Sequence, residues 1–199
     1  MIFDMHKLTR EDLFTLEAYA TERTSFREQV LAHKQNRRLA IGEHALLYFE
    51  DRLTVRYQVQ EMLRIERIFE ASGIDEELDA YNPLIPDGQN LKATFMIQYV
   101  DVEVRRQALA ALRGVEDKVW LQVSGHDPIY AIADEDLDRS NEEKTSAVHF
   151  LRFELGKAGA QALRGGAALA AGIAHEAYNS QIACVDATVR DALAADLDG

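Results

Sequence analysis

The spacing of apolar and polar residues predicts a helical first part of the chain. Apolar positions recur at helical intervals over about 9–20 and 25–37, which predicts two helices that pack as an antiparallel hairpin. Short apolar runs at 39–41 and 45–49 flank a glycine and predict a β-hairpin. The helical pattern then returns over about 51–71, which predicts a long central helix.

The pattern changes after about residue 90 and predicts a sheet-rich second part. Pro83 and Pro86 lie in the connecting segment 81–88 and predict a stiff loop, because proline fixes its own φ angle. The predicted strands cover 91–99, 118–123, 129–133, 145–155 and 168–174, and the predicted helices cover 102–112, 158–163 and 186–197. We therefore expect one α+β domain over 1–199 with a mostly antiparallel sheet, a helical part at about 8–80 and a sheet-rich part at about 90–199.

The central helix carries polar residues within its predicted apolar face. At about 100° per residue, one arc holds Val55, Val59, Met62, Ile65 and Phe69, and the opposite arc holds Arg56, Gln60, Arg64 and Arg67. Gln58, Glu61 and Glu66 interrupt the apolar side. A buried polar group without a partner costs about 1–3 kcal/mol. These three side chains are therefore expected either to pair with nearby arginines or to form part of a ligand or metal site.

The candidate site is a pocket between the central helix and the stiff loop. Carboxylates there would supply acid–base chemistry or metal ligands, and arginine would hold an anion. On the strand at 145–155, His149 faces one side, as a satisfied core residue or an acid–base group, while Arg152 and Glu154 face the other. The candidate ligand-binding residues are Gln58, Glu61, Arg64, Glu66, Tyr81, Asn82, Asp87, His149, Arg152 and Glu154.

Charge and cysteine content narrow the possible function classes. Of 199 residues, 22 are Lys or Arg and 34 are Asp or Glu, and the formal net charge of −12 disfavours binding to nucleic acid. Cys184 is the single cysteine, which excludes a disulfide within the chain and a multi-cysteine zinc or iron–sulfur site. No segment resembles a membrane span or a secretory signal, so we expect a cytoplasmic protein.

Motifs of the common enzyme classes are absent from the sequence. It has no P-loop, no dinucleotide-binding glycine motif, no nucleophile elbow and no Glu-x-x-His pair of the di-iron carboxylate type. Two charged clusters are ambiguous: basic 33–38 either stabilises a helix C-terminus or contacts an anion or partner, and acidic 134–138 is either a solvated face or a site for a hard cation. The sequence thus identifies no catalytic residue, no metal ligand set and no cofactor.

Four long segments of the chain resemble a known family. They read HKQNRRLAIG, LYFEDRLTVRYQVQEMLRIERIFE, ELDAYNPLIPDGQNLKATFMIQY and GHDPIYAIADEDLDRSNEEKTSAVHFLRFEL. Together they are similar to the bacterial domain-of-unknown-function family 3501, from about Leu8 to Leu197. The resemblance carries no activity and no catalytic residues. It implies a genomic association with rubrerythrin-like di-iron proteins and with iron–sulfur proteins related to heterodisulfide reductase.

Two hypotheses about function follow. The first is an accessory protein of a bacterial redox or oxidative-stress system, expected to be a homodimer. Its partner would be a rubrerythrin-like or iron–sulfur protein, and it would bind neither nucleic acid nor a membrane. The resemblance implies this role, because the chain itself lacks the residues that would hold those cofactors. The second is an enzyme or a binder of a small ligand or metal, which would use the carboxylate, arginine and histidine pocket beside the central helix.

Overall fold

The computed structural model describes residues 7–137, 139–140 and 143–198. Its helices are α1 (Leu16–Gln35), α2 (Arg52–Glu66), α3 (Ala71–Tyr81), α4 (Val102–Ala111), α5 (Gly156–Arg164) and α6 (Ala187–Ala194). Its strands are β1 (Arg38–Ile41), β2 (Ala45–Glu50), β3 (Asn90–Ile97), β4 (Val119–Val123), β5 (Ile129–Tyr130), β6 (Ile132–Ala133), β7 (Val148–Glu154), β8 (Leu169–His175) and β9 (Tyr178–Ile182). The α+β class expected from the sequence is confirmed.

The strands form two antiparallel sheets. The first sheet has the order β1-β2-β3-β7-β6, and the second has the order β5-β4-β8-β9. The strand predicted at 129–133 is divided at Ala131, so that β5 pairs with β4 in the second sheet and β6 pairs with β7 in the first. Strand β9 was not predicted, because its residues Tyr178–Ile182 are largely polar and only half-buried or exposed.

The main core lies between the two sheets. Alternate residues of each strand point to one face, and the inward positions are apolar, as Leu91, Phe95 and Phe153 in the first sheet and Leu121 and Ile173 in the second. The outward positions of the first sheet lie on the side of α1, α2 and α3. These helices bury smaller clusters of their own, around Val55 and Val59 of α2 and around Tyr19 and Phe26 of α1.

The predicted N-terminal helical hairpin is wrong, because α1 is one continuous helix. Thr15 caps its first turn by accepting a hydrogen bond from the backbone N–H of Ala18 at 3.2 Å. No glycine or proline interrupts residues 16–35, so nothing in the local sequence forces a turn. Tyr19, Phe26 and Val30 lie on one face, and their burial in the cluster with residues of α2 stabilises the single helix.

Helix α2 is shorter than predicted and is rotated from the predicted orientation. It ends at Glu66, because Arg67 adopts a left-handed conformation with φ of 58°. Ile65 and Phe69, which we expected to be buried, are 60% and 72% exposed. Gln60, placed on the polar side by the pattern, is instead fully buried. Its side-chain amide accepts a hydrogen bond from the N–H of Phe14 at 2.9 Å and donates one to the C=O of Phe14 at 3.1 Å.

The helices of the described residues include none that is both long and apolar enough to cross a membrane.

Candidate ligand-binding cleft

The outward face of the first sheet carries a mixed set of polar and apolar side chains. Strand register places them in neighbouring rows that run across β2, β3 and β7. The two central rows are Glu50–Lys92–Arg152 and Tyr48–Thr94–Phe150. Except for Glu50, which is buried, these side chains are only half-buried, so the helical layer leaves much of this face open.

Two cavities open between this face and helices α1, α2 and α3. The first has a volume of about 490 Å³ and includes Met62, Glu77, Tyr81 and Leu84 in its wall. The second has a volume of about 730 Å³ and is lined by Leu31, Lys34, Arg38, Tyr48, Glu50 and Met96, among others. Both border Gln58 of α2 and Phe150 of β7, so the cavities adjoin there. We call the two cavities together the outer-sheet cleft.

Three polar side chains at the first cavity lack a partner within the described part of the chain. Gln58, Glu77 and Tyr81 are half-buried, yet their amide, carboxylate and hydroxyl groups make no hydrogen bond or ion pair to any described residue. None of their polar atoms is fully buried, so water can occupy these positions until a ligand replaces it. At the first cavity these three groups are therefore available to a ligand.

Burial shifts the pKa of two charged groups in the first cavity. The pKa of Glu77 is raised, first by burial and then by the negative charges of Glu66 and Glu76. The pKa of Lys92 is lowered by burial, against an opposing effect of the Asp87 carboxylate. The Lys92 Nζ donates a hydrogen bond to the carbonyl oxygen of Pro83 at 2.6 Å. In both groups, burial in the cavity wall is the largest cause of the shift.

The two arginines at the first cavity are already paired with carboxylates. Arg152 donates to both carboxylate oxygens of Glu135, at 2.8 and 2.9 Å, and also to Glu154. Arg139 donates to both oxygens of Asp136, at 2.6 and 2.7 Å, and its guanidinium lies 4.6 Å from the ring centre of Phe150. The hydrogen bonds from the arginines lower the pKa values of Glu135 and Asp136. Neither guanidinium is therefore free to bind an anion without losing a carboxylate.

Glu50 forms the buried wall of the second cavity. It is 3% exposed, and its two carboxylate oxygens accept hydrogen bonds from the hydroxyls of Thr94, at 2.7 Å, and Thr54, at 2.5 Å. Thr54 belongs to α2 and Thr94 to β3, so this carboxylate links the helical layer to the sheet. Its hydrogen bonds are satisfied inside the protein, in contrast to those of Glu77.

Several residues predicted for the site lie at or near the cleft. Gln58, Tyr81 and Arg152 border the first cavity, and Glu154 pairs with Arg152. Asn82 and Asp87 border an adjacent cavity of about 510 Å³, which also contacts Lys92 and Arg152. The Asn82 side-chain amide accepts a hydrogen bond from the N–H of Leu8 at 2.7 Å and donates one to its C=O at 2.9 Å. The Asp87 carboxylate accepts a hydrogen bond from the N–H of Gln89 at 2.9 Å. Both Asn82 and Asp87 thus shape the stiff loop.

The other predicted residues of α2 are not brought to the cleft. Glu61 accepts hydrogen bonds from the hydroxyl of Tyr19 at 2.7 Å and from Arg23 of α1 at 2.8 and 2.9 Å, with Arg64 at 3.4 Å. The hydrogen bond from Arg23, with those from Tyr19 and Arg64, outweighs burial and lowers the pKa of Glu61 to about 2. Glu66 and Arg64 are exposed. Glu61 is therefore satisfied by the arginine pairing that the sequence left open as one alternative.

His149 lies on the opposite face of β7 from the cleft, inside the core. It is fully buried, with Nδ1 2.6 Å from the Asp134 carboxylate and Nε2 2.9 Å from the Thr145 hydroxyl. Thr145 donates in turn to Glu116 at 3.0 Å, and Ser140 also donates to Glu116. We call these residues the His149 network. From the sequence, His149 was either a satisfied core residue or an acid–base group in the same pocket as Glu61. The structure buries it in the core, whereas Glu61 pairs with residues of α1 and α2.

Some functional-site candidates in the cleft were not predicted from the sequence, among them Glu77, Lys92, Arg139 and Phe150. A signal for two of them was present, because strict alternation in the strand after residue 90 puts Lys92 on the same face as Thr94, and likewise Phe150 on the same face as Arg152. No group of three or more metal-binding side chains is arranged around a common point in residues 7–137, 139–140 and 143–198.

The chain is similar to known proteins over nearly its whole length. A family model described as "Protein of unknown function (DUF3501)" matches residues 7–197. Among solved structures, the chain is similar to a crystal structure of a novel protein of unknown function from Burkholderia pseudomallei K96243. That similarity has a TM-score of 0.92 and 55% sequence identity, and covers 96% of this chain and 100% of that chain. No curated protein matches the chain.

Proposed function

We propose that this chain, which belongs to the DUF3501 family, functions by binding a small organic molecule in the outer-sheet cleft. One observation carries the proposal: Gln58, Glu77 and Tyr81 border one cavity with polar groups that no described residue satisfies. These groups are gathered around one cavity, where a ligand can replace the water that they bind.

The dimensions of the cleft support the proposal. Its two cavities, of about 490 and 730 Å³, fall within the range of roughly 300–1,000 Å³ that is common for small-molecule sites. Met62, Leu84 and Phe150 offer apolar surface in the first cavity, and the polar groups are few. An apolar wall with a small number of oriented polar groups is the usual composition of such a site.

Two methionines provide a direct test. Met62 borders the first cavity and Met96 the second, and the remaining methionines, Met1 and Met5, lie outside the described residues. In protein labelled with ¹³C at the methionine methyl groups, we expect fragments from a chemically diverse library to shift the Met62 or Met96 signal. A library that shifts neither signal would contradict the proposal.

Matched variants locate the binding in the first cavity. Ala80 of α3 borders that cavity, so Ala80→Trp should fill it and abolish the Met62 shifts. Ala71→Trp places the same side chain at an exposed position at the other end of α3 and should leave those shifts unchanged. Equal loss in both variants would point to a disturbed helix instead of a blocked site.

We also propose, from the family resemblance, that the protein is a cytoplasmic accessory of a bacterial redox system. The support is the association of similar genes with rubrerythrin-like and iron–sulfur proteins, together with a net charge of −12 and a single cysteine. Affinity-tagged protein recovered from its native host should enrich such a redox protein over an unrelated acidic control, as measured by quantitative mass spectrometry. Failure to enrich any redox protein would overturn this proposal, and light scattering would test the expected homodimer.

A further inference from the structure

The charged side chains that line the first cavity are equal in number: three carboxylates and three cations, namely Glu77, Glu135, Asp136, Lys92, Arg139 and Arg152. Arg152 is paired with Glu135 and Arg139 with Asp136. Both arginines also contact a carboxylate outside the cavity, Arg152 that of Glu154 and Arg139 that of Asp134. Neither guanidinium therefore offers a free positive charge to a ligand.

The other two charged groups at this cavity are Glu77 and Lys92. The Lys92 Nζ donates a hydrogen bond to the Pro83 carbonyl, whereas the Glu77 carboxylate has no hydrogen bond or ion pair to any described residue. A ligand that brings a positive charge would pair with this carboxylate, whereas an anion would be repelled by it.

The unsatisfied groups have a matching hydrogen-bonding preference. The Glu77 carboxylate only accepts hydrogen bonds when it is ionised, and the Gln58 amide and the Tyr81 hydroxyl each can accept as well as donate. A protonated nitrogen carries several N–H donors and no acceptor. It can therefore donate to any of the three side chains, and its charge adds an attraction to the Glu77 carboxylate that a neutral hydroxyl lacks.

The apolar wall defines the rest of the ligand. Met62 and Leu84 contribute aliphatic surface, and Phe150 contributes an aromatic ring at the junction with the second cavity. The Arg139 guanidinium lies 4.6 Å from the Phe150 ring centre, a cation–π contact that covers part of one face of the ring. An aromatic or alicyclic body would bury its surface against these side chains.

We propose that the first cavity binds a small molecule with an apolar ring and a protonated amine, and that the Glu77 carboxylate receives the amine while Gln58 provides a second contact. This inference rests on the proposed function and specifies its ligand class. It differs from the anion site considered from the sequence, because Arg139 and Arg152 are both engaged by carboxylates.

A series of three probes of similar shape tests the ligand class. Isothermal titration of the full chain with 2-phenylethylamine, 2-phenylethanol and phenylacetate compares a cation, a neutral molecule and an anion on one ring. We expect the amine to bind about tenfold more tightly than the alcohol, as for a charge-assisted hydrogen bond, and the carboxylate to bind more weakly than both. An alcohol or carboxylate that binds as tightly as the amine would overturn the assignment.

Two neighbouring glutamates give a matched pair of variants. Glu77→Gln should lower the amine affinity about tenfold and leave the alcohol affinity unchanged, whereas Glu76→Gln, at an exposed position away from the first cavity, should change neither. Because Glu77 has no partner to lose within the described residues, Glu77→Gln should retain the wild-type fold, which circular dichroism checks. Equal effects of the two substitutions would mean that only the net charge matters and would refute a Glu77 contact.

The methionine signals separate the failure of this inference from that of the proposed function. If other library fragments shift Met62 but the amine does not bind, the ligand class is wrong and the cleft remains a binding site. If no compound shifts Met62 or Met96, both proposals fail.

Discussion

The polar groups on the two sides of β7 differ in their hydrogen bonding. On the inward side, His149 of β7 is fully buried, and each of its ring nitrogens lies within 3 Å of an oxygen, one of Asp134 and one of Thr145. On the outward side, across the cleft, Gln58 of α2 and Glu77 of α3 are half-buried with no partner among the described residues. One strand thus separates a polar cluster satisfied by the protein from one that is open to a ligand.

The comparison distinguishes a structural polar residue from a functional one. Complete burial without hydrogen bonds costs about 1–3 kcal/mol for each group, and more for a charge, so a core residue such as His149 must have its partners. At half-buried positions water covers part of that cost, and a polar group can persist for binding. Fully buried, hydrogen-bonded groups should therefore contribute to the stability of the fold, and half-buried groups without a partner should contribute to the affinity for a ligand.

The largest expected effect comes from the His149 network. His149→Leu removes the shared partner of Asp134 and Thr145 in a closed core and should lower the free energy of unfolding by about 3 kcal/mol. Urea denaturation measures this loss. The control is His126→Leu, in the turn after β4, which should change stability by less than about 0.5 kcal/mol. Similar small losses of stability in both variants would show that the His149 network does not stabilise the core.

A smaller effect is expected at Glu50, which borders the cleft but is satisfied internally. Thr94→Val removes the hydroxyl that donates to one Glu50 oxygen at 2.7 Å and should cost about 2 kcal/mol, because the carboxylate stays buried. Thr94→Ser keeps the hydroxyl and should recover most of that loss. If the valine variant is as stable as the serine variant, Glu50 does not depend on this hydrogen bond.

Glu61 should affect stability in a defined pH range. Its pKa is about 2 in the folded protein, against an ordinary value of 4.5, so the stabilisation is complete above about pH 4.5 and is lost as the pH falls through about 2. Glu61→Gln should lower stability by about 1 kcal/mol at neutral pH and should flatten this part of the pH profile. Denaturation at several pH values checks this, with the exposed Glu66→Gln as the control.

The sequence predicted elements better than it predicted neighbours. Alternation was sufficient to place His149 on the opposite face of its strand from Arg152, and the α+β class followed from local patterns. The partners of His149 could not be predicted, because Glu116 and Asp134 lie 33 and 15 residues away along the chain. Such contacts depend on sheet order, which the pattern of a single strand does not specify.

The contacts of the cleft residues were also difficult to predict from the sequence. Gln58 was identified because a polar residue interrupted a helical apolar pattern, and it does border both cavities. The same reasoning also selected Glu61, whose partner Arg23 belongs to a helix that the sequence divided in two. Glu77 could not be predicted, because a glutamate on a short acidic helix is usually exposed. Only the packing of α3 beside the sheet brings it to the cavity.

The smallest expected change in stability provides the most direct test of the account. Gln58→Met replaces the amide with an apolar side chain of similar size at the junction of the two cavities. If Gln58 is present for a ligand, urea denaturation should give a free energy of unfolding equal to or higher than that of the wild type, together with weaker amine binding. A loss of more than about 1 kcal/mol with unchanged binding would show that Gln58 supports the fold, and would contradict the account.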